Sequence, residues 1–242
     1  MPNPTAAMLV IGDEILSGRT RDANTHFLAR VLTDAGIDLA EVRIVPDGTA
    51  RIVAALNALR DSYTHVFTSG GIGPTHDDIT ADAVASAFGA AIDVRDDARA
   101  ILERHYAARN QELNAARLRM ARIPEGAALI DNPVSAAPGF SLGNVHVMAG
   151  VPAIFQAMVA SVMPSLQGGA PLVSQSLRVP RGEGDIAQTL GALAEAHTET
   201  SIGSYPYQQD GLHGSNVVVR SADPGAVIRV MDALRTAFPE AR

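Results

Sequence analysis

Residues Ser69-Gly70-Gly71-Ile72-Gly73-Pro74-Thr75-His76-Asp77-Asp78-Ile79-Thr80 join a glycine-rich turn to a carboxylate pair, just where a buried strand hands over to a helix. The run before it, Thr64 to Thr68, is apolar and β-branched, and from Asp82 through Phe88 apolar positions recur at helical spacing. Glycines in such a turn accept positive φ and let the backbone approach a ligand closely. The amides of Gly71 and Gly73 and the helix N-terminus are therefore read as a phosphate site, with Ser69, Gly70, Pro74 and Thr75 around it. Asp77 and Asp78 would repel a bare phosphate, and a divalent cation between carboxylate and phosphate removes that conflict. Two plainer readings compete. Either Asp is suited to capping the following helix, a role worth about 1 kcal/mol. A dinucleotide fingerprint fits poorly, because His76 stands where its third glycine belongs and Pro74 stiffens the turn.

The preceding residues place this turn in a parallel α/β sheet. Ala7-Met8-Leu9-Val10-Ile11 is a continuous apolar strand followed by Gly12-Asp13-Glu14. A helix follows, capped by Asp22 or Asn24, with Phe27, Leu28, Val31 and Leu32 on its apolar face and Gly36 as its stop. A second strand, Val42 to Val45, ends at Pro46-Asp47-Gly48, and Thr49 is expected to cap the next helix. Strand and helix thus alternate three times within the first ninety residues, and ligands of such sheets bind beyond the carboxyl ends of the strands. Asp13, Glu14, Asp47, Asp77 and Asp78 all fall there, on three loops.

Asp96 to Leu118 reads as helical and Arg-rich on one face, either a lid or, as favoured here, a solvated surface, with its Arg residues as secondary candidates. The segment from Asn132 to Phe140 is turn-rich, Asn144 to Met148 alternates as a strand, and Ala149-Gly150-Val151-Pro152 opens a helix closing a first domain, residues 1–167. After the linker Gln167-Gly168-Gly169-Ala170-Pro171, residues 171–242 read as a small βαββα domain. The overall class is α/β: a doubly wound, mostly parallel sheet followed by a small α+β domain.

Composition excludes several chemistries. All 19 basic residues are Arg, so neither a Schiff-base lysine nor a phosphate-loop lysine is available. With no Cys, disulfides, thiolate metal sites and a cysteine nucleophile are closed. A net charge of −7 argues against nucleic acid or an anionic membrane as partner and favours a small molecule. The seven His residues put no pair on one helical turn, and His76 is the only one inside the glycine string. The short apolar run from Ala6 to Gly12 has no basic leader, and no stretch reaches membrane-spanning length, so a cytoplasmic protein is expected.

Taken together, Gly12-Asp13-Glu14-Ile15-Leu16-x-Gly18, Asp22-x-Asn24, Val45-Pro46-Asp47, the glycine string, Asn132, Ala137-Pro138-Gly139-Phe140 and Gly150-Val151-Pro152 resemble the molybdopterin-binding (MoaB/Mog-like) domain in its competence/damage-inducible protein A (CinA) version, over residues 7 to 166. Ile202-Gly203-Ser204-Tyr205-Pro206 resembles the small second domain of that family. Ser135 and Ala149 depart from the family pattern, where Gly and Pro are usual. The resemblance implies a metal-dependent pyrophosphatase acting on ADP-ribose or a related nucleotide such as FAD. The alternatives are a molybdopterin adenylyltransferase, with molybdopterin as ligand, and a non-catalytic nucleotide- or pterin-binding module. It also implies that Asp47 and Asp78 are catalytic and hold Mg²⁺ or a similar ion, with Asp77 beside them, and that Asp13, Asn24, Asn132, Gly139 and Gly150 contribute to ligand binding. From resemblance alone, a homodimer is expected. Family members often carry a C-terminal domain that deamidates nicotinamide mononucleotide; no residues beyond Arg242 supply one, so deamidation is not expected.

Overall fold

The computed structural model describes residues 3–209 and 212–242; Met1, Pro2, Asp210 and Gly211 lie outside them. The chain divides into two units, Met1–Gly169 and Ala170–Arg242. In chain order the first holds β1 (Thr5–Ile11), α1 (Asp13–Leu16), α2 (Asn24–Asp34), β2 (Asp38–Val45), α3 (Thr49–Ser62), β3 (His65–Ser69) and α4 (Thr80–Phe88). It continues with β4 (Ile92–Val94), α5 (Asp96–Ala107), α6 (Ala115–Leu118), β5 (Arg122–Pro124), β6 (Ala128–Ile130), β7 (Gly139–Leu142), β8 (Val145–Met148) and α7 (Pro152–Val162).

Six strands form one sheet in the order β2-β1-β3-β8-β7-β6. The first four run parallel, and β7 and β6 add an antiparallel edge. Strand β1 reads as an unbroken apolar run because both of its faces are covered. Ala7, Leu9 and Ile11 enter the core shared with α3, α4 and α5, while Ala6, Met8 and Val10 enter the core shared with α2 and α7. Each of the larger side chains contributes about 1.5–3 kcal/mol by leaving water, which makes this strand intolerant of charge on either face.

Register then determines where the loops emerge. Ile11 lies beside Val45, Val10 beside Ser69, and Ser69 beside Met148, so the parallel strands end level. The turns that begin at Gly12, Pro46, Gly70 and Ala149 therefore leave from one edge. With α2 on one face and α3 on the other, strand order reverses between β1 and β3, where α/β sheets open a crevice.

Three local expectations change. The helix expected to run from Asp96 to Leu118 stops at Ala107; Asn110 takes a left-handed φ of 52°, and α6 and a 3-10 turn at Arg119–Ala121 follow. Thr49 is the first residue of α3, and no side chain caps that helix. The turn-rich segment ends in β7, which pairs with β6; strands of three or four residues are too short to leave a periodic pattern.

The second unit contains β9 (Val173–Val179), α8 (Glu183–Ala196), β10 (Ser201–Gln209), β11 (Leu212–Ser221) and α9 (Pro224–Ala237), with its antiparallel sheet ordered β10-β11-β9. Asp223 caps α9 by accepting from the Gly225 amide at 2.8 Å, with Pro224 at the first helical position. Leu177, Val179, Val217, Val219, Val230 and Met231 form a core belonging to this unit alone. Among the described residues no helix is long and apolar enough to cross a membrane.

Because each unit closes its own core, a chain ending at Gly169 should be soluble and melt cooperatively, as followed by circular dichroism. Aggregation, or a melt without a transition, would contradict this. A second prediction concerns His146, buried with its Nδ1 2.9 Å from the Ser141 hydroxyl and its ring 5.7 Å from that of His65. Burial, helped by the neighbouring His65, lowers its pKa to about 4. The unfolded chain takes up this proton near pH 6.5 and the folded chain does not, so stability present above pH 6.5 is lost as pH falls toward 4, by on the order of 3 kcal/mol. Urea unfolding across that window should show a smaller slope for His146→Gln; equal slopes would assign the pH dependence to other groups.

Candidate functional site

The glycine turn is held from both ends. The Gly70 amide donates to the Met148 carbonyl at 3.1 Å, and Thr80 donates its amide to the Gly71 carbonyl at 3.0 Å and its hydroxyl to the Gly70 carbonyl at 2.9 Å. At Gly70, with φ of 110°, a Cβ would run into the Ile11 carbonyl; at Gly71, with φ of 68°, it would strike the Thr80 hydroxyl. Only glycine fits either place. Among the described residues no acceptor takes the N–H of Gly71, Ile72 or Gly73. Three successive uncommitted amides around a left-handed residue form a concavity suited to an anion.

Asp78 does not cap α4, whose N-cap is Ile79 with no side-chain bond. Instead Asp78 Oδ2 accepts from the Thr75 amide at 2.8 Å and the Thr75 hydroxyl at 2.6 Å, folding the carboxylate back over the turn. Its oxygens lie so close to Gly73 that a Cβ there would collide with them. Asp78 is half-buried, whereas Asp77, next to it, is exposed.

The other strand-end carboxylates gather nearby. Asp47 Oδ2 accepts from the Asp13 amide at 2.9 Å, bridging the loops after β1 and β2. Burial raises the Asp47 pKa; the Asp13 amide opposes that shift, and the negative charges of Asp13, Glu14 and Asp77 add to it. These four acids thus share one electrostatic neighbourhood.

Asn24, in the first turn of α2, is buried and acts as a strut: its Nδ2 donates to Ser69 Oγ and to the Gly150 carbonyl, both at 2.8 Å. The N-cap position of α2 is Ala23, and Asp22 just before it accepts from the Asn24 amide at 2.9 Å and the Thr25 amide at 3.3 Å. Asn132 spends its side chain on its own loop, donating to Ser135 Oγ and the Ala137 carbonyl and accepting from the amides of Val134 and Ser135. Gly139 lies in β7 against the Val147 carbonyl.

A cavity of about 500 Å³ opens against the glycine turn, within the usual range for a small-molecule pocket. Gly70 through Pro74, Asp78, Asn132 and Gly150 form part of its wall, while Ile72, Met120, Ile154 and Met158 make much of the rest apolar. Asp13, Asp47, Thr75, Asn24, Ser69 and Gly139 stand outside that wall. Glu14 is in it, named in the sequence only as one of the strand-end acids. Met120 and the neighbouring Arg119 escape sequence reading because they follow the break in the helical pattern after Ala107.

Whether these residues fit a divalent cation turns on donor chemistry. Among the described residues no three His, Cys, Asp or Glu side chains gather as a metal cage, so Asp47, Asp77 and Asp78 do not form a closed three-carboxylate site. Mg²⁺ is ordinarily held by one or two carboxylates with water and substrate phosphate, and hard oxygen donors beside open backbone amides suit that mode.

Comparison with known proteins bears on this geometry. Residues 7–168 match the family described as "Probable molybdopterin binding domain", and residues 171–242 match "FAD synthase, middle domain". A crystal structure of the protein CinA, of unknown function, from Thermoplasma acidophilum superposes with a TM-score of 0.63 at 31% identity, covering 68% of this chain and 99% of that one. A probable FAD synthase from Caenorhabditis elegans is 28% identical over 96% of this chain and 49% of its own length. A CinA-like protein from Desulfosudis oleivorans is 35% identical over 71% of this chain and 43% of its own. The chain thus spans about half or less of those two curated relatives. With more than half of its residues inside the first match, and a CinA structure aligned over nearly its whole length, the chain belongs to the molybdopterin-binding (MoaB/Mog-like) domain family in its CinA-like form.

Proposed function

We propose that the glycine turn and its carboxylates form a divalent-metal-dependent pyrophosphatase site for a nucleoside diphosphate-linked compound, with ADP-ribose the first substrate to test and FAD the second. The observation that carries this reading is the set of three uncommitted amides at Gly71, Ile72 and Gly73, residues that line a cavity together with Asp78 and several apolar side chains. An anion held by amides beside an apolar surface describes a ligand with a phosphate tail and a flat ring, as in a nucleotide. The nematode relative named as a probable FAD synthase supports the dinucleotide class.

In this reading the amides of Gly71 and Gly73 orient one phosphate and meet the negative charge that grows on its oxygens in the transition state. The apolar wall seats the base and excludes water from the far side of the phosphate. Asp78 is held in one orientation by Thr75, so its free Oδ1 needs no reorganisation to act. Asp47 and Asp78 would hold the cation, which when bound would neutralise the diphosphate and polarise its P–O bonds. Hydrolysis of ADP-ribose places the water oxygen on phosphorus and releases AMP and ribose 5-phosphate.

A second reading, adenylylation of molybdopterin, is favoured by the family description and by the same apolar wall, which suits a pterin as well as a purine. Assays with ADP-ribose alone and with molybdopterin plus ATP separate the two, and turnover in neither leaves a binding module.

Purified protein should release AMP from ADP-ribose only with Mg²⁺ or a similar ion; full activity in excess chelator would exclude the metal-dependent mechanism. Asp78→Asn keeps an acceptor for Thr75 and loses the charge. Its melting temperature should stay within a few degrees of the parent while turnover falls by on the order of 10² or more. A folded variant with near-normal turnover would reduce Asp78 to an organiser of the Thr75 turn.

A further inference from the structure

A diphosphate brings more negative charge than backbone amides can answer, and the chain contains no Lys. Beside the main cavity, a smaller recess is lined by Gly71, Gly73 and Asp78 together with Arg119 and Arg122. The two arginines differ in their commitments. Arg122 Nη2 lies 2.5 Å from Asp82 Oδ1 in an ion pair. Arg119 forms no ion pair among the described residues; its Nη2 reaches only the Asp78 carbonyl, at 3.5 Å, and its Nε is buried without an acceptor. A buried guanidinium nitrogen left unpaired is unfavourable, and the side chain that carries it lines the same recess as Gly71, Ile72 and Gly73, whose amides are uncommitted.

We propose that Arg119 is the cationic clamp for a second phosphate, so that the site selects diphosphate-bearing nucleotides over monophosphates. This rests on the nucleotide reading given above. The amide concavity binds one phosphate whatever follows it; Arg119 supplies the full charge and the forked donor geometry for the next. Arg122, neutralised by Asp82, does not substitute for it.

Titration calorimetry of the full chain with adenosine, AMP and ADP, each with Mg²⁺, tests the assignment. The parent protein should prefer ADP to AMP by about 10-fold or more, the scale of a hydrogen-bonded charge pair. Arg119→Gln should abolish that preference while leaving AMP affinity within a few-fold. Arg119→Lys, which keeps the charge and guards against a folding defect in the Gln variant, should retain part of the preference. A folded Arg119→Gln protein that still prefers ADP, or a folded Arg119→Lys protein that loses the preference entirely, would overturn the role of Arg119 and leave the phosphate site standing. Parent protein that binds AMP and ADP equally would likewise overturn the clamp. If it binds neither, the nucleotide reading fails, and the clamp with it.

Discussion

The site depends on one close approach. At the end of β3 the chain passes the carbonyl of Ile11 on one neighbouring strand and Gly150 on the loop after another, and Gly70 is the residue that crosses there. A side chain would push this turn away from the end of β1. Because it stays close, Thr80 can reach back with both its amide and its hydroxyl, so the carbonyls of Gly70 and Gly71 are occupied while the next three amides are not. That the loop keeps open donors is thus a result of how its acceptors are spent.

The same economy of hydrogen bonds sorts the polar residues around it. Asn24 ties Ser69 to Gly150 and so fixes the spacing of β3 and the loop after β8, which a capping residue at the surface would not do. Asn132 is closed on its own turn, and its place in the cavity wall is one of shape. Asp78 differs from both: Thr75 uses one carboxylate oxygen and leaves the other. A charged group fixed in direction and only half satisfied is what a site for a cation or a polar substrate requires.

Much of this was legible in the sequence, for identifiable reasons. A strand buried on both faces is an uninterrupted apolar run, so β1 announces itself, and level parallel strands place every carboxylate that follows a strand end on one edge. That is why Asp13, Asp47 and Asp77 could be grouped across separations of thirty residues or more, a grouping matched by the bond between Asp47 and the Asp13 amide and by the shared influence on Asp47. Less was legible where local pattern and tertiary role diverge. Asp78 has the composition and position of a helix cap, and only the geometry shows it turned toward Thr75. Gly139 belongs to a conspicuous string, yet its small size serves the packing of β7 on β8.

Arg119 marks the limit of pattern reading most clearly. The segment just before it carries Arg at intervals that suit a solvated helix, and α5 is such a helix as far as Ala107. What changes its meaning is Asn110, where a left-handed residue ends the helical pattern without a glycine to advertise the turn. The chain then brings Arg119, in a short 3-10 turn, beside a loop 46 residues earlier in its numbering (119 − 73). In a protein without lysine, an arginine that has no carboxylate partner and lies beside free amides differs physically from an equally charged one paired with Asp82 three residues on. That distinction rests on neighbours that only the fold brings together.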